Sequence, residues 1–531
     1  MTLPVSVPFT FGSTTTQNSL VNLDTNFSTI YTAVNGIGNG TNSLSNSVVT
    51  ATGSTTSRTL GARAADVVNV LDWGADPTGV LDSTAAFQAA LNSTSGGNKG
   101  VIVPAGVFLI SSTLTSSGSF LSLVGAGPCA TYISFNSTTA DLFNFSGNFI
   151  KISGIGINPT SAMSAGTMFV FSTTSGNIWI DQVFASSGFN FISFTGAGAA
   201  QTFITNSVAN NLKGTGVNYG SSYGGFGFIS SLTMSNPGNS NLQYGVLCQN
   251  GGTFQWENVN VQSFGTQFAI VPPSGSVVRD VFAVNCLADG VGNSTQGGNG
   301  WFVNGGSTSS VSRVYLSNCW GGSNYQSGFF FEGISDVTIS NCIAVTNIQH
   351  GFYLGGSPTP VSLDFVNCTA YGNNFTSSGA YDGIRVDNYV SQFSIKGCMV
   401  TAVQGTTNNQ QYGINISGTN HDYYVVTDNI CYSNATGSIK DQGAGVNKFV
   451  RSNIGYNPLA RTSVSVTSSP FSWSNNTGET VLLSVSGGTV SNVSVDSVLV
   501  SSATGCVVTV AQGKTAVITY SSTPTISYAG L

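Results

Sequence analysis

A run of repeated units between Gly300 and Cys431 constrains this chain more than any other feature. Each unit opens on a glycine and a short strand: Gly300-Trp301-Phe302-Val303-Asn304, Gly328-Phe329-Phe330-Phe331-Glu332, Gly351-Phe352-Tyr353-Leu354, Gly383-Ile384-Arg385-Val386 and Gly413-Ile414-Asn415-Ile416. Each closes on a cysteine. From Cys286 these recur at Cys319, Cys342, Cys368, Cys398 and Cys431, in steps of 33, 23, 26, 30 and 33 residues. A repeat of variable length takes its insertions in turns. Each unit holds two short runs that alternate apolar with other residues, the mark of strands with one buried face. A unit this small cannot bury that face alone and must stack on its neighbours. The expected fold is therefore all-β, a parallel β-helix with one unit per coil and strands ~4.8 Å apart. Asn285, Asn318, Asn341 and Asn367 each precede a cysteine. Stacked coils would let these side chains hydrogen-bond to one another along the axis, with the cysteines filling the interior.

Composition fits such a solenoid. Only 6% of the residues are charged and 66 are glycine, while 33 phenylalanines and 40% hydrophobic content argue against disorder. With a net charge of −6, 14 basic residues and no basic cluster, a nucleic-acid partner is not expected. No apolar run is long enough to span a bilayer, so membrane insertion is not expected. Met1-Thr2-Leu3-Pro4 opens without the basic and apolar stretches of a secretory signal. Six of the nine cysteines share one repeat position and no CxxC pair occurs. They are expected to be reduced interior residues, with no metal site and no cofactor.

Residues 1–60 form the first expected domain, a head and linker. Leu20, Leu23, Phe27, Ile30 and Val34 trace a heptad seam over about two heptads. It is too short to be stable alone, and it fits either packing against copies of itself or a partner, or one amphipathic helix packed on the body. Residues 36–60 are a Gly/Ser/Thr/Asn linker. The second domain, 61–455, is the β-helix. Val68-Asn69-Val70-Leu71-Asp72-Trp73-Gly74-Ala75-Asp76-Pro77-Thr78-Gly79 begins as a strand and a turn. Asp82-Ser83-Thr84-Ala85-Ala86-Phe87-Gln88-Ala89-Ala90-Leu91 follows as a helix capped near Asp82 or Ser83. Phe87 and Leu91 share a helix face that would cover the first coil and shield its edge. Gly100-Val101-Ile102-Val103-Pro104-Ala105-Gly106 is the next strand and turn. Segments Gly214–Gly227 and Asp289–Gly300 look like projecting loops. The third domain, 456–531, has short Ser/Thr/Val alternations split by glycine and asparagine, which suggest a small antiparallel β-sandwich.

The stretch from Asp66 to Thr115 resembles the opening motif of the pectate-lyase-like β-helix superfamily, as found at the head of bacteriophage tailspikes and tail fibres. That resemblance implies a right-handed parallel β-helix and a homotrimer. It implies attachment to the virion tail or baseplate through residues 1–40, and a host surface glycan as partner. The C-terminal module resembles tail-fibre modules that hold trimers together or touch glycans. The resemblance covers the entry to the solenoid and not an active face, so chemistry has to be argued from the residues.

Twenty carboxylates and two histidines are few for 531 residues. Alignment on the opening glycines puts Phe302, Phe330, Tyr353, Arg385 and Asn415 in one outward column. Asn304, Glu332, Gly355, Asp387 and Ser417 form another, and Val303, Phe331, Leu354, Val386 and Ile416 point to the core between them. Glu332 and Asp387 then lie two rungs apart, with Gly355 leaving space between them. Two carboxylates about 6.5–9.5 Å apart suit inverting glycoside hydrolysis. His350 and Asp382, one rung apart before the strands, are the alternative acid/base pair. Arg385, Tyr353, Trp301 and Trp320 are the candidate substrate-binding residues. Asp181, Glu257, Asp280 and Asp289 compete for the carboxylate roles. The polygalacturonase-type Asn-Thr-Asp strand, paired Asp-Asp and Gly-His-Gly turn are not present, nor is a pectate-lyase-type calcium cluster. The expected function is a virion tailspike, made in the host cytoplasm and acting at the bacterial surface, that recognises and depolymerises capsule, exopolysaccharide or O-antigen. A hydrolase is favoured over a lyase. The alternatives are a non-enzymatic receptor-binding fibre and a secreted bacterial β-helix adhesin or polysaccharide enzyme.

Overall fold

The computed structural model describes residues 25–31, 47–94, 100–172, 176–196, 198, 200–236, 243–290, 298–306, 310–355, 362–375, 380–388, 390–403, 410–456 and 460–531. The chain divides into two units, Met1–Val68 and Asn69–Leu531. In the first, residues 25–31 are helical, with Phe27, Ile30 and Tyr31 exposed. The rest of the heptad seam, Leu20, Leu23 and Val34, lies outside the described residues. Val48–Thr50 and Ser57–Thr59 pair antiparallel. Thr59 caps the short helix Leu60–Ala64 by accepting the Ala62 N–H.

The second unit begins with a plug. Asp76 folds the turn by accepting the N–H groups of Thr78, Val80 and Leu81. These donors favour the charged carboxylate and bring it down to about 2. Helix Thr84–Ser93 follows. Asp82 rather than Ser83 caps it by side chain, accepting the Thr84 N–H at 2.9 Å. Ala86, Phe87, Ala90 and Leu91 are its buried face, and Phe87 meets Phe108 edge-on at 5.4 Å. The helix also finishes an open sheet edge. The Gln88 amide donates to Thr115 C=O at 2.8 Å and accepts its N–H at 2.9 Å, standing in for the strand that is missing there.

Beyond the plug the chain winds into a parallel β-helix. From Phe254 on the described coils carry three strands where two were expected, while between Ile150 and Ser235 one long strand such as Asn177–Ser186 or Phe226–Ser235 spans the second and third sheets. The first sheet has 13 strands, from Leu114–Ser116 to Gly437–Asp441. The second holds strands such as Val311–Ser317 and Ile334–Ser340. The third holds three-residue strands such as Trp320–Gly322, Ile343–Val345 and Thr369–Tyr371. The third strand escaped the pattern because three residues cannot show a period. Segment 214–227 is not a projecting loop: Val217–Tyr219 is a strand of the first sheet, and Tyr219 and Tyr223 are buried. Much of the second segment, 291–297, lies outside the described residues.

Two polar columns run along the axis, and their roles differ from the expected ones. Asn285, Asn318, Asn341 and Asn367 do not bond to one another. They sit at the corner between the second and third sheets with φ of 53–55°, a left-handed conformation that asparagine tolerates better than most residues. The hydrogen-bonded ladder lies six residues further on, between the third and first sheets. Asn324 donates to Asn347 at 2.8 Å and Asn347 to Asn373 at 2.8 Å. Asn373 donates to Gln410 at 3.4 Å and Gln410 to Asn434 at 2.7 Å. Cys286, Cys319, Cys342, Cys368, Cys398 and Cys431 are buried as expected. The first five donate their thiols to the carbonyl two residues earlier, at 3.3–3.5 Å. Aromatic rings stack in the interior beside them, with Phe268 to Trp301 at 4.1 Å and Phe329 to Phe352 at 4.7 Å. Such pairs add about 0.5–1.5 kcal/mol each beyond their burial.

After the last coil come two four-stranded antiparallel sheets. Val481, Leu483, Val510 and Ile526 of one meet Val493, Ala516 and Ile518 of the other in a single core.

Candidate active site on the first sheet

The register places the outward residues as the repeat implied. Phe302, Phe330, Tyr353, Arg385 and Asn415 pair rung to rung, and Asn304 pairs with Glu332 and Glu332 with Gly355. Val303, Phe331, Leu354, Val386 and Ile416 are buried between the two columns.

Arg385 organises the polar part of this face. One guanidinium nitrogen lies 3.4 Å from an Asp382 oxygen, and the other reaches Asp387 at 3.3 Å and the Ser417 hydroxyl at 3.1 Å. The Tyr353 hydroxyl donates to the second Asp387 oxygen at 3.1 Å. Burial, and then the neighbouring Asp387, push that phenol up to about 12, so it stays a donor. The Tyr353 ring stacks on Phe330 at 4.7 Å, and Phe330 tilts against Phe302 at 5.3 Å. Glycine is needed at 355, because a β-carbon there would sit 2.9 Å from the Tyr353 ring. Glu332 is half-buried and accepts a long 3.4 Å hydrogen bond from Asn304.

Two expected catalytic residues lie beneath this surface. Asp382 is 1% exposed. It accepts the Tyr412 N–H at 3.0 Å and the Asn415 amide at 2.9 Å, and burial raises its carboxyl. His350 is also buried, and its Nδ1 accepts the Asp382 N–H at 2.9 Å. Burial above all, and then Arg385, push the imidazole down to about 3, so it is neutral at ordinary pH. With that lone pair occupied and the other ring nitrogen holding the proton, His350 is placed to support Asp382 rather than to take a proton. Asn415 Oδ1 is buried and accepts no hydrogen bond among the described groups.

The tryptophans do not join this face. Trp301 is fully buried in the interior stack and donates to the Trp320 carbonyl at 3.2 Å. It faces inward because it alternates with Phe302 on the strand. Trp320 lies on the third sheet, in register with Ile343. The competing carboxylates are elsewhere too. Asp280 forks with Arg313, with one contact at 2.8 Å. Asp289 is on the third sheet. Asp181 and Glu257 are on the second sheet, beside outward aromatics at 179, 203, 228, 282 and 315 whose alignment no single repeat unit reveals. A groove of 580 Å³ between the last coils and the sandwich, lined by Tyr423, Lys448, Phe449 and Lys514 among others, has no carboxylate in its lining. Among the described residues no three His, Cys, Asp or Glu side chains converge as metal ligands, and no helix is long and apolar enough to cross a membrane.

Comparison with known proteins bears on the fold. The tailspike protein of E. coli bacteriophage HK620, solved as a double mutant in complex with a pentasaccharide, is 13% identical. That match covers 92% of this chain and 97% of the other, with a TM-score of 0.51. The N-terminal fragment of bacteriophage phi29 gene product 12 is 15% identical over 75% of this chain and 73% of its own, with a TM-score of 0.50. The A-module of Azotobacter vinelandii mannuronan C-5 epimerase AlgE6 is 14% identical over 73% and 99%, with a TM-score of 0.47. No curated protein matches the sequence. Residues 67–303 match the family described as rhamnogalacturonase A/epimerase, pectate lyase-like, and the structural neighbours of this β-helix include phage tailspikes.

Proposed function

We propose that the chain is a phage tailspike that binds a host surface polysaccharide and hydrolyses it on the outer face of the first sheet. The observation that carries the catalytic part is the pairing of Glu332 and Asp387 across the gap left by Gly355. Two strand spacings separate their backbones by about 9.6 Å, just past the upper end of the ~6.5–9.5 Å carboxyl range for inversion, and the two side chains need only lean slightly toward each other. Arg385 and Tyr353 orient Asp387 to take a proton from water as that water attacks the anomeric carbon. Glu332, held only loosely by Asn304, gives a proton to the leaving glycosidic oxygen as its bond to that carbon breaks. The Phe330–Tyr353 stack offers the apolar sides of sugar rings a surface. A lyase needs a base at this face, and neither the occupied imidazole of His350 nor the raised phenol of Tyr353 suits that role.

The same reading makes the protein a homotrimer attached to the virion through residues 1–40, with the C-terminal sandwich as trimer clasp or glycan contact. Light scattering that returned a monomer would remove the trimer. One observation favours a second reading, a fibre that binds without cleaving: both Asp387 oxygens already have protein partners. The two part in a reducing-end assay on polysaccharide from a bound host. Hydrolysis gives new reducing ends without the absorbance of an unsaturated uronate. Glu332→Gln and Asp387→Asn each lower the rate at least ~100-fold with binding kept. Binding without any new ends establishes the second reading.

A further inference from the structure

The second sheet carries an outward aromatic column that the proposed active site does not use. Parallel register sets Trp179, Phe203, Phe228, Gln255, Phe282 and Tyr315 on successive rungs. Neighbouring rings stack nearly parallel. Trp179 and Phe203 are 5.8 Å apart at 9°, Phe203 and Phe228 5.0 Å at 6°, and Phe282 and Tyr315 5.0 Å at 10°. Gln255 breaks the column. Phe228 and Phe282 each stack on one side only and look across a rung that has no ring. The two positions are two strand spacings apart, about 9.6 Å. That separation admits one saturated six-membered ring in van der Waals contact, ~3.5–4.0 Å between carbons, on both sides.

A cavity of 260 Å³ opens at this break, lined by Thr205, Phe228, Ser230, Gln255, Glu257 and Phe282 among others. Glu257 follows Gln255 by two residues on the same face, is exposed, and accepts no hydrogen bond among the described groups. Ser230 is its neighbour in register.

We propose that the slot between Phe228 and Phe282 is a second carbohydrate-binding site, which takes a single neutral pyranose unit. The C–H faces of the sugar pack between the two rings, and its hydroxyls donate to Glu257 and bond to Ser230. The carboxylate selects against uronates and other anionic sugars. It also selects against an aromatic side chain from a second copy, which would desolvate Glu257 without giving it a donor. The slot is on a different sheet from Glu332 and Asp387 and needs no cleavage there.

The test is saturation-transfer difference NMR with glucose, galactose, rhamnose and N-acetylglucosamine added singly. A Phe330→Ala, Tyr353→Ala background removes the aromatic surface of the first-sheet face. Saturation should reach the ring C–H protons of at least one sugar. Gln255→Phe, which completes the aromatic column and fills the slot, should cut that signal at least ~tenfold, and Glu257→Gln by about three- to tenfold. Phe282→Ala serves as a second variant that opens the slot instead of filling it, and it should weaken the signal as well. Circular dichroism confirms folding of each variant. The proposal is overturned if no sugar gives a signal, if the signal survives Gln255→Phe, or if Gln255→Phe changes the oligomeric state in sedimentation, which would make the occupant another copy.

Discussion

Replacing Asn347 by alanine would remove the middle of the buried amide ladder. The Asn347 side chain accepts the backbone N–H of Asn324 at 3.0 Å and its amide at 2.8 Å. It donates to Gly321 C=O at 2.9 Å and to Asn373 at 2.8 Å. Alanine leaves two N–H groups of Asn324 in a fully buried turn with no acceptor and takes donors from two oxygens. At about 1–3 kcal/mol for each of the two orphaned N–H groups, the cost is roughly 2–6 kcal/mol. Asn341 is the control, because it too recurs by the same step but works only through its φ of 53°. Asn341→Ala costs about 1–2 kcal/mol for placing an ordinary residue in the left-handed region, and Asn341→Gly costs little. Unfolding of so large a solenoid is best read as a rate. In guanidinium, followed by tryptophan fluorescence, Asn347→Ala should unfold on the order of a hundredfold faster than the parent, taking those bonds as still absent in the transition state. An Asn347→Ala rate within threefold of the parent, or below that of Asn341→Ala, would refute the assignment of the ladder.

Three further outcomes follow from the geometry. His350 is neutral when folded, at about 3 against 6.5 when unfolded. The unfolded chain therefore binds the extra proton, and stability is full above pH 6.5 and declines toward pH 3. Between pH 6.5 and 5 the loss is about 2 kcal/mol in denaturation midpoints, and His350→Gln should flatten it. Arg385→Ala frees Asp387 from its orienting partner. It should lower polysaccharide cleavage about 10- to 100-fold with an unchanged circular dichroism spectrum. Gln88→Ala removes both bonds to the Thr115 edge and should cost about 1–3 kcal/mol, seen as an earlier unfolding transition.

Much of this architecture is written in the repeat. The opening glycines align strands whose odd and even residues separate cleanly, so Arg385 over Tyr353 and the buried Val386 followed from spacing alone. The ladder was equally legible, since 324, 347 and 373 recur by 23 and 26 residues like Cys319, Cys342 and Cys368. The asparagines next to the cysteines recur by the same steps, and only the backbone conformation tells a corner residue from a bonded one. Burial was the other hidden quantity. Asp382 and His350 precede the opening glycines by one residue, and nothing in their types says that the turn folds over them. Trp301 looked like a sugar platform because of its chemistry, while its alternation with Phe302 already placed it inside. The break at Gln255 needed three aligned rungs that the irregular early coils concealed.

The most direct measurement is a crystal structure with an oligosaccharide released from, or copied from, the surface polysaccharide of a host cell that the protein binds. The expected density lies over the Phe330–Tyr353 stack, with a glycosidic oxygen within hydrogen-bond reach of Glu332 and Arg385 against the sugar. Density confined to other faces of the solenoid or to the C-terminal sandwich, with Glu332, Tyr353 and Arg385 untouched, would contradict the placement of the active site.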